Sequence, residues 1–276
     1  MTDVPTVLVP LDGSSNAVAA LIVARGLAHV IGATVTLIYV GREPLSPEEL
    51  FSRNGLSADD ALGLIIEPLA GPLADTIVHA VSPHHAAFVV LGVQPADPSY
   101  PFGGLPGDVL RGAPCPVVLV PSDQRRCSWA LRQLVLPHDG TPISAAAIGP
   151  TADLASRAGA DLVVIHVATP DAARPTEPGT FTTPRYLDQP HHEWPMWAHE
   201  FLGRVRCCCH LAETAKIRLV LGQGDVSSAI LEFAYRHGSD LIAVAWRGCA
   251  EPRCAQTMRH VLRGAPCPVI VFRVRS

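Results

Sequence analysis

The sequence predicts an α/β fold made of two tandem copies of one unit, each a five-stranded parallel sheet wound on both faces by helices. Three observations carry this. The nonapeptide VLRGAPCPV occurs twice, at Val109–Val117 and at Val261–Val269. Shorter matches precede it in the same order in both halves. Apolar runs alternate with helical segments, and the runs are continuous in Val, Ile and Leu, as expected of strands buried on both faces.

In chain order, the first strand is the run Val7–Leu11, which ends at Asp12-Gly13-Ser14. A helix rich in Ala and Leu follows at Asn16–Ile31, then a second strand at Val35–Val40. A variable segment leads to a third run, Leu62–Ile66. A helix at about Pro72–Val81 precedes the fourth strand, Phe88–Leu91. A loop, a short helix at about Leu105–Arg111 and a fifth strand, Val117–Val120, close the unit.

The second copy repeats this rhythm. LVLPHDGTP (Leu134–Pro142) matches VLVPLDGSS (Val7–Ser15) and sets Asp139 opposite Asp12, at an offset of 127. GADLVVIHV (Gly159–Val167) matches GATVTLIYV (Gly32–Val40) at the same offset. GDVSSAILEF (Gly224–Phe233) and LIAVA (Leu241–Ala245) match GPLADTIVHA (Gly71–Ala80) and FVVLG (Phe88–Gly92) at 153, and the nonapeptide returns at 152. The jump places a 26-residue insertion, rich in proline and polar residues, between Val167 and Gly224. Two domains follow, 1–123 and 132–276, joined by a linker at 124–131, with the insertion at about 170–200 of the second.

Composition narrows the function. Hydrophobic residues make up 48% of the 276 and aromatics 5%, so the cores are aliphatic. The formal charge is −4 and no basic run exists, which argues against nucleic acid as a partner. No charged n-region precedes a long apolar stretch and no run is long enough to span a bilayer. We therefore expect a cytoplasmic protein with no membrane association. The eight cysteines give no metal pattern: Cys207, Cys208 and Cys209 are consecutive and fan out around a helix, and Cys207 with His210 makes only two ligands. No metal site is expected.

In such sheets ligands bind beyond the carboxyl ends of the strands, where strand order reverses. That criterion selects Asp12, Val40 and Gly92 in the first copy and Asp139, Val167 and Ala245 in the second. Each has a simpler reading beside it. Asp-Gly after a strand also makes a tight turn and caps the next helix, and Gly92 serves equally as a strand-to-loop glycine. GQGDVSS (Gly222–Ser228) imitates part of a dinucleotide fingerprint but lacks its third glycine and the acidic residue that ends the next strand. Neither a GxSxG elbow nor a P-loop occurs, so the expectation is a protein without catalytic residues.

Asp12-Gly13-Ser14, Gly71, Leu91-Gly92 and Leu110–Val117, with Asp139-Gly140-Thr141, Gly224-Asp225 and Leu262–Val269, make the chain resemble the universal stress protein family, as a tandem member. The resemblance implies the adenine nucleotide alpha hydrolase-like fold with strand order 3-2-1-4-5. It implies pairing of the two copies through their fifth strands, and allows a homodimer and a protein partner that the sequence does not identify. Some members of that family bind ATP, so the resemblance also allows ATP as ligand, with Mg2+ only alongside ATP. In that pattern the Asp after strand one contacts adenosine, the end of strand two (Val40, Val167) meets the adenine edge, and a G-x-x-G, nine residues, G-[ST] loop holds the phosphates.

That loop departs from the pattern in both copies. The first reads Gly92-Val-Gln-Pro95, seven residues, then Gly103-Gly104; proline replaces a glycine and Gly104 the hydroxyl residue. The second reads Ala245-Trp-Arg-Gly248, six residues, then Ala255-Gln256, with Thr257 one position late to replace the hydroxyl and Arg247 and Arg253 available for phosphate. The leading expectation is a nucleotide-responsive stress regulator with a degenerate phosphate loop. Its alternative is a nucleotide-independent dimeric interaction scaffold. The insertion, with Trp197, Phe201, Leu202 and Val205 at helical spacing, reads as a helix packed on the sheet and an arm, or else as a lid or partner-binding element.

Overall fold

In the computed structural model of the chain, residues 4–11, 16–40, 46, 49, 51–52, 64–122, 128–168, 193–208, 216–248 and 255–274 are described. The first half forms β1 (Thr6–Leu11), α1 (Asn16–Ile31), β2 (Thr34–Val40), β3 (Ile65–Leu69), α2 (Leu73–Ala80), β4 (Ala86–Val93), α3 (Gly104–Gly112) and β5 (Val117–Pro121). The second forms β6 (Gln133–Pro137), α4 (Pro142–Ala146), α5 (Ile148–Ala158), β7 (Asp161–Ala168), α6 (Glu193–Cys208), β8 (Ile217–Gln223), α7 (Val226–Arg236), β9 (Leu241–Trp246), α8 (Gln256–Gly264) and β10 (Val269–Arg273).

All ten strands join one sheet in the order β3-β2-β1-β4-β5-β10-β9-β6-β7-β8. Each half is parallel and has the order 3-2-1-4-5, the expected doubly wound fold. At the centre β5 and β10 run antiparallel, with Leu119, Val118 and Val117 opposite Val269, Ile270 and Val271. Successive strand residues point to opposite faces, so each strand feeds two cores. Val7, Val9, Leu134, Leu136, Leu162 and Ile270 enter one, with α1, α5 and α6. Leu8, Val89, Val117, Val135, Val163 and Val269 enter the other, with α2, α3, α7 and α8. Both cores continue from one half into the other.

The helix after the first strand ends alike in both copies. Gly32 and Gly159 take left-handed backbone, at φ +67° and +65°. The next N–H then returns to the helix, Ala33 to the Ala28 carbonyl and Ala160 to Ala155, each at 2.8 Å. Such a left-handed residue closes a helix end by satisfying carbonyls of its last turn.

Three local features differ from the sequence expectation. The third strand is Ile65–Leu69 rather than Leu62–Ile66; residues 62 and 63 lie outside the described residues. It is a sheet edge, partly solvated, so Glu67 and Pro68 are tolerated there and the apolar run misplaces it. The second copy's first helix is split at Ala147, because Pro150 has no N–H for the Ala146 carbonyl. Finally, the connector does not stay in solvent throughout: Trp129 and Leu131 are buried in the core shared with α1. Helix α6, from the inserted region, buries Phe201 and Val205 against the same core. The arm at 170–192 lies outside the described residues.

Candidate functional site

Each half opens a crevice where strand order reverses. The central pairs are short there: β1 meets β4 at three positions, the last Leu8 with Val89. β6 meets β9 at two, the last Val135 with Ile242. Beyond them the described residues form no further pair between these strands, so the carboxyl ends of β1 and β4 flank one gap and those of β6 and β9 the other.

In the first half Asp12 lies outside the described residues, while Val40 ends β2 beside the gap. Gly92 is packed rather than open: a Cβ there would come within 2.3 Å of the Asn16 carbonyl oxygen, at the start of α1. The absent side chain lets α1 abut β4. The loop after Gly92 is folded upon itself. Pro95, Pro98 and Pro101 have no N–H. Asp97 donates to the Gln94 carbonyl (3.0 Å), Tyr100 to Asp97 (3.1 Å) and Gly103 to Ser99 (2.7 Å). The Ser99 N–H goes to the Asp97 carboxylate (2.8 Å). Gly103 therefore has no N–H left for a phosphate, and Gly104, at φ +59°, starts α3. The Ser99 N–H and hydroxyl hold the Asp97 carboxyl below its ordinary range, which keeps an exposed negative charge on the loop.

The same loop docks on the second half. Tyr100 donates its hydroxyl to the Leu262 carbonyl (3.2 Å). Arg263 donates to the Tyr100 carbonyl from Nε (2.9 Å) and Nη2 (2.6 Å), and to Pro98 from Nη2 (2.8 Å). Arg111, its counterpart in the repeat, instead stays at home on the Phe102 carbonyl (2.7 Å) and the Asp108 carboxylate. The repeated nonapeptide thus makes different contacts in its two settings.

The second crevice is built differently. Asp139 Oδ1 accepts from the Thr141 N–H (2.9 Å), the Thr141 hydroxyl (2.6 Å) and the Ser144 hydroxyl (2.6 Å). Asp139 thus braces the start of α4 and still keeps an exposed edge. Surrounding protein opposes its charge, but the Ser144 and Thr141 hydrogen bonds outweigh this and hold the carboxyl below its ordinary range. His138 donates its N–H to the Ile165 carbonyl (2.9 Å). Ile165 therefore turns its main chain toward β6, and so does Val167 two residues on, past the last β6 pair at Pro137. The Val167 N–H and carbonyl face the crevice. Gly248 turns the chain after β9 at φ +85°, and Thr257 is exposed on the first turn of α8. The structure thus sets Asp139 and Val167 on one side of this crevice and Gly248 and Thr257 on the other. Residues 249–254, including Arg253, lie outside the described residues.

Two residues here escape a motif search. His138 and His166 are buried beneath Asp139, in the positions of Leu11 and Tyr39 of the first copy. Nδ1 of His138 accepts the Gly140 N–H (2.9 Å), so its ring proton lies on Nε2. Nδ1 of His166 donates to the His138 carbonyl (2.8 Å), which fixes the opposite tautomer. Phe201 of α6 meets the His138 ring edge-on at 4.9 Å. The signal was available in the sequence, since two apolar or aromatic strand ends become histidine together. GQGDVSS proves to be a helix start: Asp225 caps α7 by accepting the Ser228 N–H at 2.8 Å. Among the described residues no three His, Cys, Asp or Glu side chains are placed to hold a metal ion. No helix among them is long and apolar enough to cross a membrane.

The fold is shared with known proteins. The chain is similar over 97% of its length to 98% of a universal stress protein from Archaeoglobus fulgidus DSM 4304, with TM-score 0.63 and 18% identity. It is similar over 98% of its length to 92% of a functionally unknown protein from Pseudomonas aeruginosa PAO1, with TM-score 0.60 and 16% identity. At such identities these likenesses establish the fold. No curated protein matches the chain in sequence. The family model of the universal stress proteins matches residues 130–273, the second half and its approach. On that match, the two-copy sheet and the Asp139 turn, the chain belongs to the universal stress protein family.

Proposed function

We propose that the chain is a cytoplasmic stress-response regulator that acts by binding rather than by turnover, reading an adenine nucleotide, ATP with Mg2+, in the second crevice alone. The first half serves as scaffold. The observation that carries this division is the first half's loop: the N–H groups of Asp97, Ser99, Tyr100 and Gly103 are spent internally and its tip is docked on α8. In the second crevice the Val167 main chain faces the gap and Asp139, just past the end of β6, stays exposed. Gly248 and Thr257 supply a left-handed turn and a hydroxyl on the side where phosphates would lie.

Calorimetric titration of the purified protein with ATP and Mg2+ tests this. The expected result is one site per chain, weakened about tenfold, or about 1.4 kcal/mol, in Asp139→Asn. That variant keeps an oxygen to accept the Thr141 and Ser144 hydrogen bonds but loses the charge. Two sites per chain would overturn the division of labour. No binding, with no nucleotide retained by the protein as isolated, would leave the scaffold reading in place of the regulator.

A further inference from the structure

Residues 97–103 of the first half touch the second crevice's phosphate side at both of its supports. Trp246, the last residue of β9, directly precedes Arg247 and Gly248. Phe102 stacks on Trp246 with ring centroids 5.6 Å apart and planes inclined by 21°. The other support is α8, whose first turn carries Thr257. The Arg259 guanidinium carbon lies 5.5 Å from the Phe102 ring centroid. Its Nε is buried without a hydrogen-bond partner among the described residues, and the ring face lies within cation–π distance of the guanidinium. One turn later Arg263 and Leu262 are tied to Pro98 and Tyr100 by the hydrogen bonds given above. Burial pushes the Tyr100 hydroxyl well above its ordinary pKa, so it remains a donor at any physiological pH. Phe102 and Tyr100 are both buried, in the core that also holds Trp246, Val261 and Leu262.

We propose that this segment is an internal strut: a former phosphate loop that now sets the position of the other half's phosphate side, with Phe102 and Tyr100 as positioning residues for the ATP polyphosphate. The inference rests on the reading of the second crevice as a nucleotide site. Adenosine is read by Val167 and Asp139, which the strut does not touch. The β- and γ-phosphates depend on where Gly248 and the first turn of α8 stand, and both follow the Phe102 contact. Loss of Phe102 therefore discriminates between nucleotides by the length of their phosphate chain.

Titrate the whole chain, Phe102→Ala and Phe102→Tyr with ATP and Mg2+ and separately with AMP. Phe102→Ala is expected to lose about tenfold in ATP affinity and less than about twofold in AMP affinity, a coupling of the size contacts of this kind transmit. Phe102→Tyr keeps the ring and should restore ATP binding. As a control for lost stability, Ile77→Val in α2 lowers the urea midpoint but should leave both affinities unchanged. Unchanged ATP affinity in Phe102→Ala, or an equal loss for ATP and AMP, overturns the strut and leaves the nucleotide reading standing. If the unsubstituted protein binds neither nucleotide, it is the nucleotide reading that fails. Amide hydrogen exchange at Arg247 and Arg259 then decides the mechanical tie on its own: faster exchange in Phe102→Ala upholds it, and unchanged exchange overturns it.

Discussion

His138 shows how one residue distinguishes the two copies. It is 5% exposed, and burial is the largest influence on its ring, pushing the pKa down from 6.5 to about 4. The neighbouring Asp139 charge opposes this shift and His166 adds to it. The consequence for stability has a definite sign. Between pH 6.5 and 4 the unfolded chain binds a proton at this histidine and the native protein does not. The contribution is therefore fully present above the unfolded value and is lost as pH falls through 6.5 toward 4. The loss runs at up to about 1.4 kcal/mol per pH unit. We expect urea midpoints to be level from about pH 8 to 7 and to fall below about 6.5. His138→Leu, which installs the first copy's residue, should flatten most of that fall; an unchanged slope would assign it to other groups. His138 was hidden from motif reading because Asp139-Gly140 beside it matches a turn pattern and a lone histidine has none. It becomes legible once Leu11 and Tyr39 are set against His138 and His166. By contrast, the commitment of Gly103 to Ser99 could not be read from sequence, since it follows from a loop that folds against another half of the chain.

At the scale of elements, α1 and the connector fix each other. Gly26 lies inside α1, where glycine costs about 1 kcal/mol relative to alanine. The structure gives the reason: a Cβ at Gly26 would lie 2.4 Å from Trp129 Cε3 and 2.9 Å from the Trp129 carbonyl oxygen. Trp129 in turn donates its indole N–H to the Asp240 carbonyl (3.2 Å), while the Asp240 carboxylate accepts the Arg132 (2.9 Å) and Gln133 (3.1 Å) N–H groups at the start of β6. We expect Gly26→Ala to destabilise the protein by about 1–3 kcal/mol through overpacking. Trp129→Ala should cost about 3–5 kcal/mol. In the Trp129→Ala background Gly26→Ala should become harmless or stabilising, because only the helix propensity gain remains. Additive effects in this double-mutant cycle, read from urea unfolding, would break the link. The elements that sequence located well are those whose periodicity is unambiguous, such as β1, β2 and β5, apolar on both faces. It misplaced β3, where a half-exposed edge relaxes the pattern, and missed the split at Ala147, although Pro150, in the third turn of a helix starting at Pro142, marks a break there. Trp129 sits in a short, partly charged stretch that reads as linker, and its burial depends on a helix more than a hundred residues away.

For the whole molecule, the junction is continuous in all three layers. In the sheet, Val118 and Ile270 face each other at 0% exposure. Their antiparallel pair closes what would otherwise be two apolar edges. On one face Trp129 wedges against α1, and on the other the Phe102–Trp246 stack and the Arg263 clamp join the halves. Neither core can lose one half without exposing the cut surface of the other. A chain of 276 residues with two similar units would ordinarily unfold in steps. Here the shared cores favour a single transition, with far-UV circular dichroism and tryptophan fluorescence superimposable in urea. Val118→Lys tests the cause. An ammonium at that buried position, opposite Ile270, finds no counter-charge in the junction pair and must either drag the sheet open or lose its proton. The expected outcome is a lower midpoint and the separation of one transition into two, as the halves lose their common edge. Two transitions already present in the unsubstituted protein, unmoved by Val118→Lys, would mean that each half carries its own stability and that the central strand pair only tethers them.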